Sequence, residues 1–464
     1  MQCKTQPRKH QLASMEFAKK SNGRVAFFHS IGSGKSYCSI LSAQIWGCKK
    51  ILVVSPTSVI QTWKDEVKKH TNWKFIELMG DTRTRQRLLL KKGNVYNINW
   101  EGLKFLFGRK VGNQFVINDQ AIFNLDFDCV IFDECHRASN PQSLQTKIAH
   151  LLSMSASHAI LLTGTPISGS ELDLWGQFWV LDNGKSLDRN FFVFRNQHFK
   201  PTRHITPRHT WVDWKLGKGE REKILDKISP ITLRFDRKDC CDLPPITYEK
   251  RLVDLSKEQL DAIDILKGEI RDEFNPKLKN KLTKAGINKA IKLAQIPGGA
   301  ILTGDGSLHR FKSNPKLSEL IDLLEQLEEK VIIFHAFVEE GRMIEKVCKK
   351  KLWKFASLRG EIKDKPENLR RFLHDKDTRI LIAHPLSGGE GLNLQIASIV
   401  IFYSNGFLGS RVRKQAEGRI YREGQTNPCL IIDLIAKNSL DENILKSQLN
   451  KRNVLQSVLD YIAI

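Results

Sequence analysis

The sequence predicts an α/β protein made of two parallel-sheet lobes joined through helical insertions, and three observations carry that expectation. Short apolar runs rich in β-branched residues recur along the chain, stretches of helical period separate them, and the whole alternation occurs twice. In the first block the runs are RVAFF (24–28), ILVVS (51–55), NVYNI (94–98), CVIFDE (129–134) and AILLTG (159–164). Each is mostly apolar, as expected of a strand covered on both faces. Between them, Tyr37 to Trp46, ending at Gly47, and Ser58 to His70 carry helical spacing. The second block has VIIFHA (331–336), RILIAH (379–384), IVIFYS (399–404) and CLIIDLI (429–435), then a helical tail after Asp441. From Leu187 to about Arg310 the pattern loosens into clustered aromatics (RNFFVFRNQHF) and a lysine-rich stretch (NPKLKNKLTKAGINKAIK), expected as helical insertions and a connector. The expected units are 1–186, 187–310 and 311–464.

Charge narrows the function. Lys and Arg number 74 against 51 Asp and Glu, a net +23, which points to a polyanionic partner, most simply nucleic acid. No apolar run is long enough to span a membrane, and MQCKTQPRKHQ lacks the apolar core of a signal peptide, so the expected compartment is a cytoplasm. Nine scattered cysteines without a C-x-x-C pair read as reduced thiols, neither a disulfide framework nor a zinc site.

FFHSIGSGKS (27–36) ends an apolar run and opens a helical one, where a phosphate loop must lie for its N–H groups to converge on an anion. Gly32 and Gly34, flanking Ser33, let the chain wrap closely; Lys35 supplies charge for β and γ phosphates, and Ser36 a hydroxyl for magnesium. His29 stands where the first glycine is expected. In CVIFDECH the acids Asp133 and Glu134 emerge at the C-terminal end of a strand, the first to hold magnesium, the second to activate water. Alone, His136 reads as a surface histidine, and Thr163, Thr165 and Pro166 as a strand-ending turn.

Two further features stay open on their residues alone. QAEGRIYREGQ (415–425) sets Arg419 and Arg422 three apart, on one face if helical, suited to phosphate or to an ordinary salt bridge. The runs Arg83, Arg85, Arg87, Lys91, Lys92 and Lys277 to Lys292 are either solvated faces or DNA contacts.

In order, these segments resemble superfamily-two helicase motors, and more closely the Swi/Snf family of double-stranded DNA translocases, over nearly the whole chain. PRKHQ is similar to the family's glutamine motif, VVSPTSVIQTWKDEVKKH has Pro56 and Trp63 in the expected places, and INWEGL, DECH and LLTGTPISGSELDLWGQFWVLD follow in register. The passage ITLRFDRKDCCDLPPITYEKRLVDLSKEQ resembles the family's inter-lobe segment, and NPKLSELIDLLEQL, SLRGEI and SGGEGLNLQIAS continue the order. The resemblance implies RecA-like lobes using ATP and magnesium, with Gln11 against adenine. It implies that Arg419 and Arg422 reach across a cleft to the γ-phosphate. It also implies coupling roles for His136, Thr163, Thr165, Gly391 and Gln415. The implied activity is a DNA-dependent ATPase stepping along duplex DNA; a strand-separating helicase, a non-hydrolysing nucleic-acid switch and the motor of a restriction enzyme are the rivals. No stretch outside the motifs suggests a nuclease or reader module, so a stand-alone bacterial or viral form is expected, monomeric on DNA and recruited by another protein.

Overall fold

The computed structural model describes residues 4–30, 32–111, 114–167, 169–206, 209–240, 243–273, 284–303, 307–362, 364–387, 392–422, 424–449 and 461. The chain divides after residue 242 into two compact units.

The main sheet of the first unit has seven strands: β1 Arg24–Phe27, β2 Ile51–Ser55, β3 Phe75–Glu77, β4 Val95–Asn99, β5 Cys129–Asp133, β6 His158–Leu162 and β7 Thr232–Leu233. They form one parallel sheet in the order β7-β1-β6-β5-β2-β4-β3. Alternation along each strand builds two cores. Val25, Phe27, Val53, Ile131 and Leu162 pack on one face with Tyr37, Leu41, Trp63 and Val67 from helices Lys35–Ile45 and Ile60–His70. Ala26, Leu52, Val54, Phe132 and Leu161 pack on the other with Leu103, Ile148, Leu152 and Phe178 from helices Trp100–Phe107, Leu144–Ser155 and Leu172–Asp182. Burial on both faces is why the central strands read as largely apolar runs. The sequence did not announce β3 and β7, edge strands of three and two residues with no such run.

The expected connector, 187–310, is divided between the units. Leu187, Phe194, Phe199, Ile224 and Ile228 belong to the first core. Within this stretch lies an antiparallel hairpin, Phe199–Thr206 paired with His209–Leu216, where helical insertions were expected. At 243 the chain passes into the second unit. Its main sheet has six strands, β8 Ile246–Val253, β9 Val331–Phe334, β10 Phe355–Leu358, β11 Ile380–Ala383, β12 Ile399–Phe402 and β13 Cys429–Ala436, parallel in the order β8-β13-β12-β9-β11-β10. Helices Lys257–Glu273 and Lys284–Gln295 share a core with Leu440–Leu449 through Ile263, Ile270, Ala290, Leu293, Leu440 and Ile444. Buried apolar surface therefore fixes these helices to the second sheet rather than leaving them as a linker. Among the described residues, no helix is long and apolar enough to cross a membrane.

A buried acid in the second unit gives a stability prediction. Glu340, in the first turn of helix Val338–Lys350, accepts at Oε2 from the Ala336 and Phe337 N–H groups and the Ser404 hydroxyl. Burial pushes its carboxyl up to about 7, against the Ser404 hydrogen bond and nearby Lys316, which is itself paired with Asp441 at 2.6 Å. The unfolded chain holds this proton less tightly, so the stability it contributes is complete below about pH 4.5 and lost as pH rises through 7. That loss is about 3 kcal/mol at most. Glu340→Gln should therefore unfold at a higher temperature than wild type at pH 8, with the gap closing by pH 5. A gap of equal size at both pH values would show that the carboxyl does not titrate in this window.

Candidate active site

Three strand ends build the site of the first unit. Phe27, Leu162 and Asp133 lie in one row across β1, β6 and β5. The chain segments that follow them leave from the same edge, with β1 and β5 about 10 Å apart at the usual strand spacing. After β1 comes the glycine loop. Gly32 has φ of 82° and Gly34, the N-cap of helix Lys35–Ile45, has φ of 76°, a region that side chains with a Cβ seldom enter. These two glycines turn the chain sharply enough to put the helix N-terminus, with its first-turn N–H groups, beside the loop. Ser33 is fully buried. Lys35 Nζ donates to the loop's own carbonyls, His29 O at 3.1 Å and Ser30 O at 3.2 Å, so a cation sits inside the turn.

After β5 comes the acidic loop. Asp133 Oδ2 accepts the indole N–H of Trp63 at 2.8 Å, and the Asp133 main-chain oxygen accepts that of Trp100 at 2.8 Å. Both indoles are buried, at 1% and 0% exposure, so the carboxylate's orientation is set by core packing. Glu134 has φ of 50° and ψ of 51°, a left-handed conformation that a residue with a side chain holds only at a cost. Its Oε2 accepts the Thr163 hydroxyl at 3.1 Å and lies 3.1 Å from His136 Nδ1, which in turn is 3.3 Å from Thr163 Oγ1. Thr163 Oγ1 also accepts the Thr165 N–H. A triangle of Glu134, His136 and Thr163 thus joins the acid to the loop after β6. Cys135, fully buried, donates to Gln177 Oε1, and Gln177 Nε2 donates to Pro166 O at 2.7 Å, tying the same two loops from beneath.

Gln11 is buried on helix Lys9–Lys20, where its Oε1 accepts the Arg8 N–H and closes a capping box. Arg85 sits among the basic runs but is 5% exposed, donating to the carbonyls of Gly80 and Leu78 and to Asn99 Oδ1. It stabilises the fold and is withdrawn as a DNA contact. Arg83, Arg87, Lys91 and Lys92 are not buried in this way. Of the second run, 277–283 lies outside the described residues.

In the second unit the arginine motif differs from expectation. Helix Ser410–Glu417 carries Gln415 and ends before Gly418, so Arg419 and Arg422 lie in the turns that follow and share no helical face. Arg419 is 5% exposed; its Nη2 donates to Pro385 O at 2.7 Å, and its guanidinium lies 5.8 Å from the Phe334 ring. Arg422 is half-buried. Arg419 O accepts the Leu394 N–H, and Gln425 Nε2 donates to Gln395 O and Ala397 O, so the turn and the LNLQ segment form one hydrogen-bonded unit. Gly391 lies outside the described residues. Sequence reading missed Arg413, which is buried against Phe402 and chelates Asp433 at 2.6 and 2.8 Å. Its signal was spacing, since Arg413 and Glu417 are four apart on one helix.

Comparison with known proteins gives the family. The SNF2-related domain matches residues 4–297 and the helicase conserved C-terminal domain matches 315–424. The chain belongs to the SNF2-related family, a class of DNA-dependent, helicase-like ATPases. Among its relatives, protein p41 of Acyrthosiphon pisum secondary endosymbiont phage 1 is 26% identical over 89% of this chain and 88% of its own length. The ATP-dependent helicase FUN30 of Saccharomyces cerevisiae is 25% identical over 86% of this chain and 41% of its own. The DNA repair and recombination protein RDH54 of the same yeast is 29% identical over 92% and 46%. The chain thus spans under half the length of these yeast relatives. The solved Sulfolobus solfataricus SWI2/SNF2 ATPase core in complex with dsDNA aligns over 99% of this chain and 94% of that one, at 21% identity and a TM-score of 0.44.

Proposed function

We propose that the chain is an ATP-driven translocase on double-stranded DNA. The observation that carries this reading is the Glu134, His136 and Thr163 triangle, because it makes the position of the water-activating acid depend on a neighbouring loop. An acid held that way can be moved into or out of place by whatever that loop senses, which is what separates a motor from a constitutive hydrolase. In this reading Gly32, Ser33 and Gly34 wrap the phosphates, Lys35 leaves the loop carbonyls for the β and γ phosphates, and Glu134 takes the proton of the attacking water. Magnesium, held through Ser36 and Asp133, supplies charge neutralisation on the phosphates when bound. Gln11 serves the adenine, Arg419 and Arg422 serve the γ-phosphate, and Thr165, Gly391 and Gln415 relay between nucleotide and DNA.

The excess of positive charge supports backbone binding without strong sequence preference. Duplex DNA should therefore stimulate ATP hydrolysis more than single-stranded DNA or RNA does, and affinity should fall linearly on a log–log plot against salt. Displacement of a third strand from a triplex, without unwinding of a forked duplex, is expected of a translocase. Stimulation by RNA alone, or efficient unwinding of the fork, would replace this reading with a helicase. The proposed setting is the cytoplasm of a bacterial or virus-infected cell, as a monomer on DNA recruited by another protein, and copurification tests it.

A further inference from the structure

His29 occupies the first position of the phosphate loop, where a glycine would suffice, and its ring is fully buried. It stacks on Phe27 with centroids 5.3 Å apart and lies 5.2 Å from the Phe235 ring. Nδ1 accepts the Phe235 N–H at 3.1 Å, which leaves the ring's proton on Nε2. That N–H faces Ser14 Oγ at 3.0 Å, and the Ser14 hydroxyl donates to His10 O at 2.8 Å. His10 then returns to the loop, with Nε2 2.8 Å from Ser33 O. The path therefore starts at the beginning of the loop, crosses helix Lys9–Lys20 beside Gln11 and ends between Gly32 and Gly34. On the opposite side, Phe28 N–H donates to Leu233 O and Ser30 N–H to Phe235 O, extending the pairing of β1 and β7 past the two-residue strand. Burial, with Lys35 and His10 nearby, holds the His29 ring down to about 3, so it stays neutral and able to accept from Phe235 throughout the working pH range.

We infer that His29 is a positioning residue that clamps the phosphate loop between helix Lys9–Lys20 and the segment Thr232–Phe235, so that nucleotide in the loop orders that segment. Glycine at this position would leave the Ser14 hydroxyl and the Phe235 N–H to find new partners inside the protein, a cost that falls on loop geometry. The segment it holds runs directly toward the boundary of the second unit at 242. His29 would thus give the loop a handle on the chain that leaves its own lobe. This inference rests on the nucleotide reading of the loop.

The test uses the full chain with His29→Gly, Ser14→Ala and, as a control, Lys35→Ala. Binding of a fluorescent ATP analogue is measured together with hydrogen exchange of amides 232–236 with and without nucleotide. In wild type, nucleotide should slow exchange at Phe235. His29→Gly should weaken binding by about tenfold and abolish that nucleotide-dependent slowing, and Ser14→Ala should weaken binding several-fold. A purely structural histidine would lower the unfolding temperature without uncoupling exchange at Phe235 from nucleotide. Wild-type affinity with retained nucleotide-dependent protection in His29→Gly overturns the inference; if that variant does not fold, the same result in Ser14→Ala does so. Normal binding by Lys35→Ala would instead overturn the nucleotide reading itself, and the inference with it.

Discussion

Glu134→Gln is expected to bind ATP as wild type does and to hydrolyse it at least about a hundredfold more slowly. Glutamine keeps the size of the side chain and can still accept the Thr163 hydroxyl through its amide oxygen, so the loop after β6 retains its anchor. What it lacks is the ability to take a proton. Binding depends on other groups, the glycines at positive φ and the Lys35 ammonium that donates to His29 O and Ser30 O. Lys35→Ala should show the reverse pattern, with nucleotide affinity lost along with turnover. Equilibrium binding and steady-state hydrolysis of both variants separate the roles. Wild-type turnover in Glu134→Gln would remove this acid from the chemistry and leave its strained backbone, φ of 50°, without a functional account.

The framework around that acid was legible in sequence to different depths. CVIFD could be read because a strand buried on both faces leaves an uninterrupted apolar run, and the acids at its end follow from where parallel sheets place polar residues. The partners of those acids could not. Trp63 Nε1 reaches Asp133 from 70 positions away, and nothing in the local pattern of either residue announces the other. Arg85 misled for a related reason. Five cations without an intervening acid look alike in one dimension, yet Arg85 turns inward to three carbonyl-type acceptors while its neighbours stay at the surface. The expected connector contains helices, but its attachment to the two units was not legible, because loosened periodicity reads as linker. Its helices are short amphipathic elements whose apolar residues, such as Ala290 and Leu293, find their core in residues about 150 positions later, Leu440 and Ile444.

Arg422→Lys is expected to lose about a thousandfold in hydrolysis while keeping DNA affinity and unfolding temperature near wild type. Lysine preserves the charge but replaces a planar fork that can span two phosphate oxygens with a point charge. Arg422 lies in a turn closed by the Gln425 N–H on the Arg422 carbonyl and by Gly424 at φ of 91°, so the main chain holds the turn whatever the side chain. Arg419 is built differently. Its guanidinium is buried and bonded to Pro385 O, so Arg419→Lys or Arg419→Ala should lower stability by about 1.5–3 kcal/mol as well as hydrolysis. The pair therefore separates two roles that their spacing alone makes look the same. If lysine at 422 retained full DNA-stimulated turnover, the guanidinium there would be a surface group worth no more than about 1 kcal/mol. The proposed γ-phosphate role would then rest on Arg419 alone, whose defect would have to exceed what its lost stability explains. Measuring turnover at a temperature where Arg419→Ala is still fully folded decides that point, and wild-type turnover there would end the proposed γ-phosphate role of both arginines.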